Sequence, residues 1–298
     1  MGLKIVPVAS DSMGVRSMAV FVETSEGAVF IDPGAALAPR RYGLPPHETE
    51  YRLLDQFLDD IKKYLAEAEI VVITHYHRDH YLYRPGEEEV FRGKILLVKH
   101  PSENINYSQR VRAHVFLEKM GVRNIAKEVL YADGIIWNTG TLRLSFSPPL
   151  FHGECGSRLG KVLAVTLEED SYRVMHASDI QGGICDESLR YVAGIKPDFL
   201  IISGPPTYID PALGNHPNLK QLVARAKEGS VIILDHHFLR DRNYRDHLQL
   251  LRHIRGDVKV LTAAEYLGRE VVQLEAYRDE LWGHPRGRKD AYVGNEED

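Results

Sequence analysis

Cysteine is nearly absent from this sequence. The chain of 298 residues contains only Cys155 and Cys185, and neither belongs to a C-x-x-C pair. So small a number excludes the disulfide framework of small secreted proteins and is typical of a reducing compartment. We therefore expect a cytoplasmic protein in which Cys185 is an inert, buried thiol.

Long apolar segments and a large charge of either sign are also absent. No apolar run approaches the length needed to span a bilayer, and no basic segment followed by an apolar core opens the chain. Neither membrane association nor a signal peptide is therefore expected. The 37 basic and 42 acidic residues give a formal net charge of −5, which does not favour attraction of the whole molecule to nucleic acid. One cluster of arginines is better interpreted as the solvated face of a helix than as a patch that binds nucleic acid. It consists of Arg240, Arg242, Arg245, Arg252 and Arg255.

The composition is that of an ordinary globular protein. Hydrophobic residues make up 44% of the chain and charged residues 27%, which excludes a disordered chain and a coiled coil. The sequence shows no internal repeat, low-complexity segment or obvious linker. We therefore predict one compact domain over residues 1–277, followed by a loosely held, charged tail at residues 278–298.

The apolar pattern predicts strands with helices between them. Short β-branched or alternating runs predict strands at residues 4–9, 18–23, 28–31, 70–73, 95–99, 135–137, 142–146, 162–167, 172–176, 199–202 and 231–234. Helical spacing predicts helices at residues 49–67, 105–120, 219–227 and 244–254, and a last turn near 263–267. Thr49 is the predicted N-cap of the first helix. Such a mixture of elements indicates two packed sheets covered by helices.

Candidate metal ligands are concentrated in the segment Thr74-His75-Tyr76-His77-Arg78-Asp79-His80. This segment directly follows the predicted strand at 70–73, so a rigid element holds it in place. In extended backbone, the side chains of His75 and His77 project to the same side. Asp79 and His80 come about one turn later, and their side chains can face a second point if the chain turns there. Imidazole and carboxylate are the ligands that zinc-like ions prefer, and the spacing suits two neighbouring ions better than one.

Further candidate ligands follow three other predicted strands. His152 follows the strand at 142–146, Asp179 follows the strand at 172–176, and the pair His236-His237 follows the strand at 231–234. Each of them alone is better explained as an ordinary loop, turn or helix-start residue. Together with the first segment, they could complete a site for two ions.

This arrangement resembles the metallo-β-lactamase-fold superfamily. The pattern H-x-H-x-D-H, followed by a His, an Asp and a His after later strands, is that family's, and Asp32 after the strand at 28–31 matches its first, structural motif. The resemblance covers about residues 3–270. It implies an α/β fold: a four-layer αββα sandwich of two mixed β-sheets flanked by helices, with the site at one edge.

The resemblance also implies a ligand for each position of a binuclear centre. One ion would be held by His75, His77 and His152, the other by Asp79, His80 and His237, with Asp179 as the bridge. His237 is preferred to His236 because His237-Phe238 is similar to the His-Phe start of the last motif in the family's RNA-processing members. His236 would then support a ligand or donate a proton.

Two departures from better-known members narrow the chemistry that the resemblance implies. Penicillin-hydrolysing members carry a cysteine where this chain has Asp179, so β-lactam hydrolysis is disfavoured. Iron-binding redox members usually carry a glutamate where this chain has His77, so a zinc-type hydrolytic site is favoured. The segments 11–14 and 203–208 are similar to those of an uncharacterised, mostly archaeal branch.

The hypothesis for the mechanism is hydrolysis by a hydroxide that bridges two divalent ions. Zn²⁺ is the expected metal, with Mn²⁺ or Fe as alternatives, and Asp79 could orient the nucleophile while it binds an ion. Candidate proton donors for the leaving group are Tyr208, His236 and Tyr76. Arg40 and Arg41, in the Pro- and Gly-rich segment 33–50, could contact an anionic substrate.

The expected substrate is a small anionic phosphodiester or ester. Thioester or lactone hydrolysis and RNA or DNA processing remain open as alternatives, although nucleic acid is not favoured. Outside the hydrolases, the alternative functions are that of a di-iron oxidoreductase and that of a non-catalytic binding protein. The sequence does not decide the oligomeric state.

Overall fold

The computed structural model describes residues 3–283 of the chain, which are arranged around two large mixed sheets. The first six strands are β1 (Lys4–Ser10), β2 (Met18–Thr24), β3 (Gly27–Ile31), β4 (Ile70–Ile73), β5 (Ile95–Val98) and β6 (Glu128–Tyr131). The later strands are β7 (Ile136–Thr139), β8 (Leu142–Phe146), β9 (Leu150–Phe151), β10 (Lys161–Val162), β11 (Val165–Glu169), β12 (Tyr172–His176), β13 (Phe199–Ser203), β14 (Val231–Asp235) and β15 (Lys259–Leu261).

Each large sheet combines an antiparallel part with a parallel part. The first sheet has the order β1-β2-β3-β4-β5-β6, antiparallel from β1 to β3 and parallel from β3 to β6. The second has the order β15-β14-β13-β12-β11-β8-β7, parallel from β15 to β12 and antiparallel beyond it. Strands β9 and β10 form a separate ribbon.

Helices cover the outer face of both sheets. They are α1 (Glu48–Glu67), α2 (Tyr107–His114), α3 (Val122–Ile125), α4 (Asp186–Ile195), α5 (Pro217–Ala224), α6 (Tyr244–Arg252), α7 (Ala263–Tyr266) and α8 (Arg278–Leu281). A π-helical turn at Val115–Lys119 continues α2, and short 3₁₀ turns lie at Glu88–Phe91, Gln181–Gly183, Pro211–Asn215, His236–Arg240 and Glu275–Tyr277. Within residues 3–283, none of these helices combines the length and the apolar character that crossing a membrane requires.

Three hydrophobic clusters hold the layers together. One buries the apolar side of α1 against the first sheet, as in the contact of Ile61 with the cluster of Phe30 and Val71. A second packs α4, α5 and α6 against the other sheet. The third lies between the sheets and joins residues of both, such as Val72 and Val165. This is the predicted four-layer αββα sandwich, and that prediction is confirmed.

The start of α1 differs from the prediction by two residues. His47, not Thr49, is the N-cap: its Nδ1 accepts a hydrogen bond from the Thr49 backbone N–H at 3.2 Å, and the Glu50 carboxylate accepts one from the His47 N–H at 2.8 Å. This reciprocal pair is a capping box in which histidine takes the place of the usual Ser or Thr. The sequence rules favour Thr49 because they do not include histidine as a cap.

The packed structure continues past the predicted domain boundary at residue 277. Arg278 is fully buried, and its guanidinium donates to both carboxylate oxygens of Glu50 and to the backbone carbonyls of Ala38 and Leu44. Residue 278 is therefore part of the core and does not begin a loose tail. The remainder of the predicted tail, residues 284–298, lies outside the described residues.

The expectation of a free, inert thiol at Cys185 is wrong. The two cysteines form a disulfide, with Cα atoms 4.9 Å apart. It joins the exposed segment after β9, which contains Cys155, to the buried residue before α4. Two cysteines thirty residues apart gave no sequence signal for this pairing, because only the fold brings them together.

Loss of this disulfide is expected to destabilise the protein by about 3–4 kcal/mol, because the bond closes a loop of 30 residues and restricts the unfolded chain. The measurement is the urea midpoint of the protein with and without a reducing agent. The Cys155→Ser variant is the control, because its midpoint should match the reduced protein and not respond to the reductant. Equal midpoints for oxidised and reduced protein would contradict the prediction.

Candidate metal centre

Strand ends from both sheets deliver the candidate ligands to one place. The loop after β4 in the first sheet carries His75, His77, Asp79 and His80. The other ligands follow β9, β12 and β14: His152, Asp179, His236 and His237. All of these side chains are buried except that of His237, which is 12% exposed. The structure thus brings every predicted metal-ligand residue together.

The carboxylate of Asp179 lies at the centre of the cluster. Its Oδ2 is 3.5, 3.3, 3.1 and 3.7 Å from the Nε2 atoms of His75, His80, His152 and His237. Its Oδ1 is 3.4 Å from the Nε2 of His236. One carboxylate therefore faces ring nitrogens on both of its oxygens, as a bridging ligand must.

Among the described residues, four overlapping groups of side chains are each compact enough for one ion, and one of them contains both His236 and His237 with Asp179. Two of the four together match a pair of neighbouring ions. In the first, atoms of His75, His77, His152 and Asp179 lie within 4.8 Å of one another. In the second, the same limit holds for atoms of Asp79, His80 and His236. Here the Nε2 of His80 is 3.8 Å from one oxygen of Asp79, and the Nε2 of His236 is 3.5 Å from the other.

Several of these ligand atoms are buried without a hydrogen bond of good geometry to any described residue. They are His75 Nε2, His80 Nε2, both ring nitrogens of His152 and of His237, Asp79 Oδ1 and Asp179 Oδ1. Each buried polar atom left without a partner costs about 1–3 kcal/mol, so a cluster of them requires an external partner. Imidazole nitrogens and carboxylate oxygens are the ligands of zinc-like divalent ions. The residues therefore fit a metal centre.

Hydrogen bonds on the other ring nitrogen orient three of the histidines. The Nδ1 of His80 is 2.9 Å from Asp32 Oδ2, and the Nδ1 of His236 is 2.7 Å from Asp11 Oδ2. The Nδ1 of His75 is 3.1 Å from the hydroxyl oxygen of Thr74, which itself donates to Asp32. A carboxylate or hydroxyl behind the ring directs the Nε2 lone pair toward an ion. Asp32 thus has the structural role that the resemblance implied.

The geometry distinguishes the two adjacent histidines. His236 is fully buried and its Nε2 approaches Asp79 and Asp179, while its Nδ1 is held by Asp11. Of the described carboxylates, His237 approaches that of Asp179, at 3.7 Å, and its ring lines the open cleft. These contacts favour His236 as the last ligand, whereas the sequence predicts His237.

Charges inside the cluster shift several pKa values in the metal-free chain. Burial alone would lower the pKa of His236, but the carboxylates of Asp179 and Asp11 outweigh it and raise the pKa to about 9. Burial lowers the pKa of His237, and the cations Arg240 and His236 lower it further, to about 4. Burial would raise the pKa of Asp179, but the surrounding histidines hold it well below its usual value. His237 is thus neutral at neutral pH, whereas Asp179 is ionised.

Of the predicted proton donors, Tyr76 lies outside the site. Its side chain is fully buried and its hydroxyl donates to the Lys99 carbonyl at 2.6 Å, so the prediction for Tyr76 is wrong. Tyr208 is not among the described residues that line the cleft, and the guanidinium of Arg41 lies 4.4 Å above its ring. The two arginines of the segment 33–50 do not line the cleft either. Arg41 is buried and donates to the Arg240 carbonyl, and Arg40 donates to the nearby Gly43 carbonyl.

A cleft of about 120 Å³ opens onto the cluster. Its inner wall consists of His77, Asp79, His152, Asp179, His237 and Arg240. Its outer wall consists of Asn106, Ser108, Arg112, Arg158 and Leu159. Sequence reasoning assigned no site role to the outer wall or to Asp11 and Arg240. The sequence did contain a signal for Asp11 as a site residue, because Asp11 directly follows β1 just as the ligands follow other strands.

Arg240 and Asp11 form a buried pair beside the second group of ligands. The Arg240 Nε donates to Asp11 Oδ1 at 2.8 Å, and one Nη is 3.7 Å from Asp79 Oδ2. The pair holds Asp11 in place behind His236 and adds a fixed positive charge next to Asp79. Arg240, which the sequence assigned to a solvated helix face, is therefore part of the site.

The chain is similar in sequence to proteins of archaea. No family model matches it. UPF0282 proteins of three archaea are similar over nearly their full length: one from Pyrococcus horikoshii (40% identity over 96% of this chain and 95% of the relative), one from Thermococcus kodakarensis (42%, 94% and 95%) and one from Methanocaldococcus jannaschii (40%, 94% and 96%).

Solved structures resemble the chain in fold. A metal-dependent hydrolase of the beta-lactamase superfamily aligns with a TM-score of 0.51 at 12% identity, over 88% of this chain and 97% of its own. Unliganded yeast PDE1 aligns with a TM-score of 0.52 at 10% identity, over 88% and 98%. The chain therefore has the metallo-β-lactamase fold and belongs to the UPF0282 family.

Proposed function

We propose that the protein is a metal-dependent hydrolase with a binuclear, zinc-type centre that acts on a small anionic phosphodiester or ester. The observation that carries this proposal is the convergence of buried histidine and aspartate side chains around Asp179 without sufficient partners of their own. A purely structural cluster would satisfy those atoms internally. The sequence family and the fold are consistent with the proposal.

The proposed ligands follow the two compact groups. His75, His77 and His152 would hold one ion; Asp79, His80 and His236 would hold the other; Asp179 would bridge them. Zn²⁺ is the preferred metal because the ligands are nitrogen and oxygen atoms on rigid strand ends, with Mn²⁺ or Fe as alternatives. When bound, such ions lower the pKa of water toward neutrality and polarise the substrate oxygen.

The chain's own residues would bind and orient the substrate. Asp79 lines the cleft and, with Arg240 3.7 Å away, is placed to orient the attacking group. His237 also lines the cleft, and burial with nearby cations lowers its pKa to about 4. A neutral imidazole at that position would donate a hydrogen bond to a substrate oxygen rather than act as the acid that protonates the leaving group.

The size of the cleft supports a small substrate. Its volume of about 120 Å³ is below the roughly 300–1,000 Å³ of pockets that hold drug-sized ligands. A nucleic-acid strand would require an extended basic groove, whereas the outer wall offers only two arginines. A small anionic ester is therefore favoured over RNA or DNA.

The proposal can be tested on protein that has been stripped of metal and reloaded separately with zinc, manganese and iron. Metal content is measured by mass spectrometry, and turnover is measured on panels of phosphodiesters, thioesters and lactones. We expect two ions per chain and hydrolysis in at least one panel. Protein that retains no divalent ion after dialysis, and hydrolyses none of the panels, would refute the proposal.

Asp11→Asn is expected to weaken metal binding by about 10–100-fold, because it removes the carboxylate that orients His236. The dissociation constants are measured by competition with a chromogenic chelator. Asp55→Asn is the matched control, because that side chain is 71% exposed on α1. An affinity equal to that of the unmodified protein would show that Asp11 does not support a ligand.

A further inference from the structure

The outer wall of the cleft carries two positive charges that the proposed hydrolytic site does not use. Arg112 lies on α2 and Arg158 lies in the segment between β9 and β10. The polar side chains of Asn106 and Ser108 lie beside them, and the same wall contains no carboxylate. All carboxylates that line the cleft, those of Asp79 and Asp179, belong to the metal cluster.

Neither of these arginines forms an ion pair with a carboxylate anywhere in the described part of the chain. Other arginines of this protein are paired: Arg16 with Glu275 at 2.7 Å, Arg240 with Asp11 at 2.8 Å, and Arg278 with Glu50 at 2.8 Å. Guanidinium groups bind carboxylate and phosphate through two parallel hydrogen bonds. Two such groups on one wall of a small cleft therefore offer a site for an anion.

Hydrogen bonds fix this wall relative to the metal cluster. One Nη of Arg112 donates to the Tyr76 carbonyl at 3.4 Å, in the loop between His75 and His77. Gln109 is fully buried; it accepts from the Tyr76 N–H at 3.1 Å and donates to the Leu159 carbonyl at 2.7 Å. It thereby connects the ligand loop to the segment of Arg158.

Two further links anchor the segment of Arg158. The Asn106 amide donates to the Arg158 carbonyl at 3.3 Å, and the Cys155–Cys185 disulfide ties the segment to the start of α4. These contacts hold the backbone of the segment near the ligand loop, and the exposed side chain of Arg158 reaches the cleft from it. A backbone that is anchored before a ligand arrives reduces the entropic cost of binding.

We propose that Arg112 and Arg158 bind a second anionic group of the substrate, a phosphate or a carboxylate, while the scissile ester lies at the metal centre. The inference rests on the proposed function and narrows it: the substrate is a small molecule with two anionic centres, only one of which reacts. The subsite determines specificity and contributes to substrate affinity, not to the chemistry at the ions.

The test uses probes that differ only in the second charge. Zinc-loaded protein is titrated by calorimetry with propylphosphonate, 3-phosphonopropionate and propane-1,3-diphosphonate, and with the homologues one methylene shorter and longer. Hydrogen bonds between charged groups are stronger than neutral ones, so a bifunctional probe of matching length should bind about tenfold tighter or more. The carboxylate and diphosphonate probes show which anion the subsite prefers.

Variants assign the gain to the two arginines. Arg112→Leu and Arg158→Leu should each abolish most of the advantage of the bifunctional probes over propylphosphonate. Zinc content is measured on the same preparations, because Arg112 also contacts the ligand loop, and the comparison is made between preparations of equal zinc content. Arg110→Leu, on the same helix but outside the cleft, should behave as the unmodified protein. Circular dichroism verifies that each variant is folded.

The outcomes separate this inference from the proposed function. If zinc and propylphosphonate bind but no bifunctional probe gains affinity, the subsite is refuted and the metal centre stands. The same holds if the gain persists in both arginine variants. If no zinc binds, the proposed function fails first, and the subsite fails with it.

Discussion

Asp179→Ala is expected to abolish binding of at least one ion and to lower turnover by about a thousandfold or more. Loss of a residue that merely supports a ligand costs about 10–100-fold, and Asp179 is placed to contact both ions directly. Its two oxygens lie 3.1 Å from the nearest ring nitrogen of the first group and 3.4 Å from that of His236 in the second. The measurements are metal content per chain and kcat on a substrate found by screening.

Two further variants control for effects on folding. Asp179→Asn keeps the shape of the side chain but removes the charge that offsets the surrounding histidines, so it should also lose metal. Asp60→Ala alters a half-exposed aspartate on the surface of α1 and should leave both quantities unchanged. Two ions per chain and normal turnover in Asp179→Ala would remove the basis for a bridged binuclear centre.

The location of the site could be read from the sequence because its ligands follow buried strands. The apolar runs of β4, β12 and β14 predict strands from composition alone, and the side chains just beyond a strand end must gather at an edge of the sheet. The spacing of the candidate ligands within the segment 74–80 indicated two ions before the other ligands were considered. The mixture of strands and helices indicated two packed sheets covered by helices, and the αββα layers were implied by the resemblance to the metallo-β-lactamase-fold superfamily.

Contacts between residues distant in sequence could not be predicted in this way. The Cys155–Cys185 bond depends on the packing of the segment after β9 against α4, and the anion subsite brings Arg112 and Arg158 together from separate segments. Arg278 resembled part of a charged tail because its partner, Glu50, is 228 residues earlier in the chain. Charge patterns along the sequence do not report such pairs.

The sequence could not distinguish the two histidines after β14 for a local reason. His236 has a φ of 59°, in the left-handed region that few residues other than glycine adopt. The backbone is held there by Asp235, whose carboxylate accepts hydrogen bonds from the N–H groups of His236, Ser12 and Ala263. Alternation along the strand therefore no longer indicates which ring faces the ions. A sequence similarity at His237-Phe238 could not supply that information.

His236→Ala is expected to reduce the metal content from two ions per chain to one and to lower turnover by about a thousandfold. The variant removes a direct ligand, and loss of a residue that merely supports a ligand already costs about 10–100-fold in metal affinity or activity. The Nε2 of His236 lies 3.5 Å from Asp79 and 3.4 Å from Asp179, so no other described ring takes its place in the second group. His253→Ala, at an exposed histidine after α6, is the matched control and should retain both ions.

His237→Ala should give a different result. Because Asp179 is the one described carboxylate that this ring approaches, and because the ring lines the cleft, the variant should keep two ions per chain. It should lose about 100–1,000-fold in kcat, the range typical of one lost hydrogen-bond donor to a reacting oxygen. Metal analysis and kinetics on the same two preparations decide the assignment. The reverse pattern, with an ion lost in His237→Ala and retained in His236→Ala, would restore His237 as the ligand. It would also leave the bond between Asp11 and His236 without a role in metal binding.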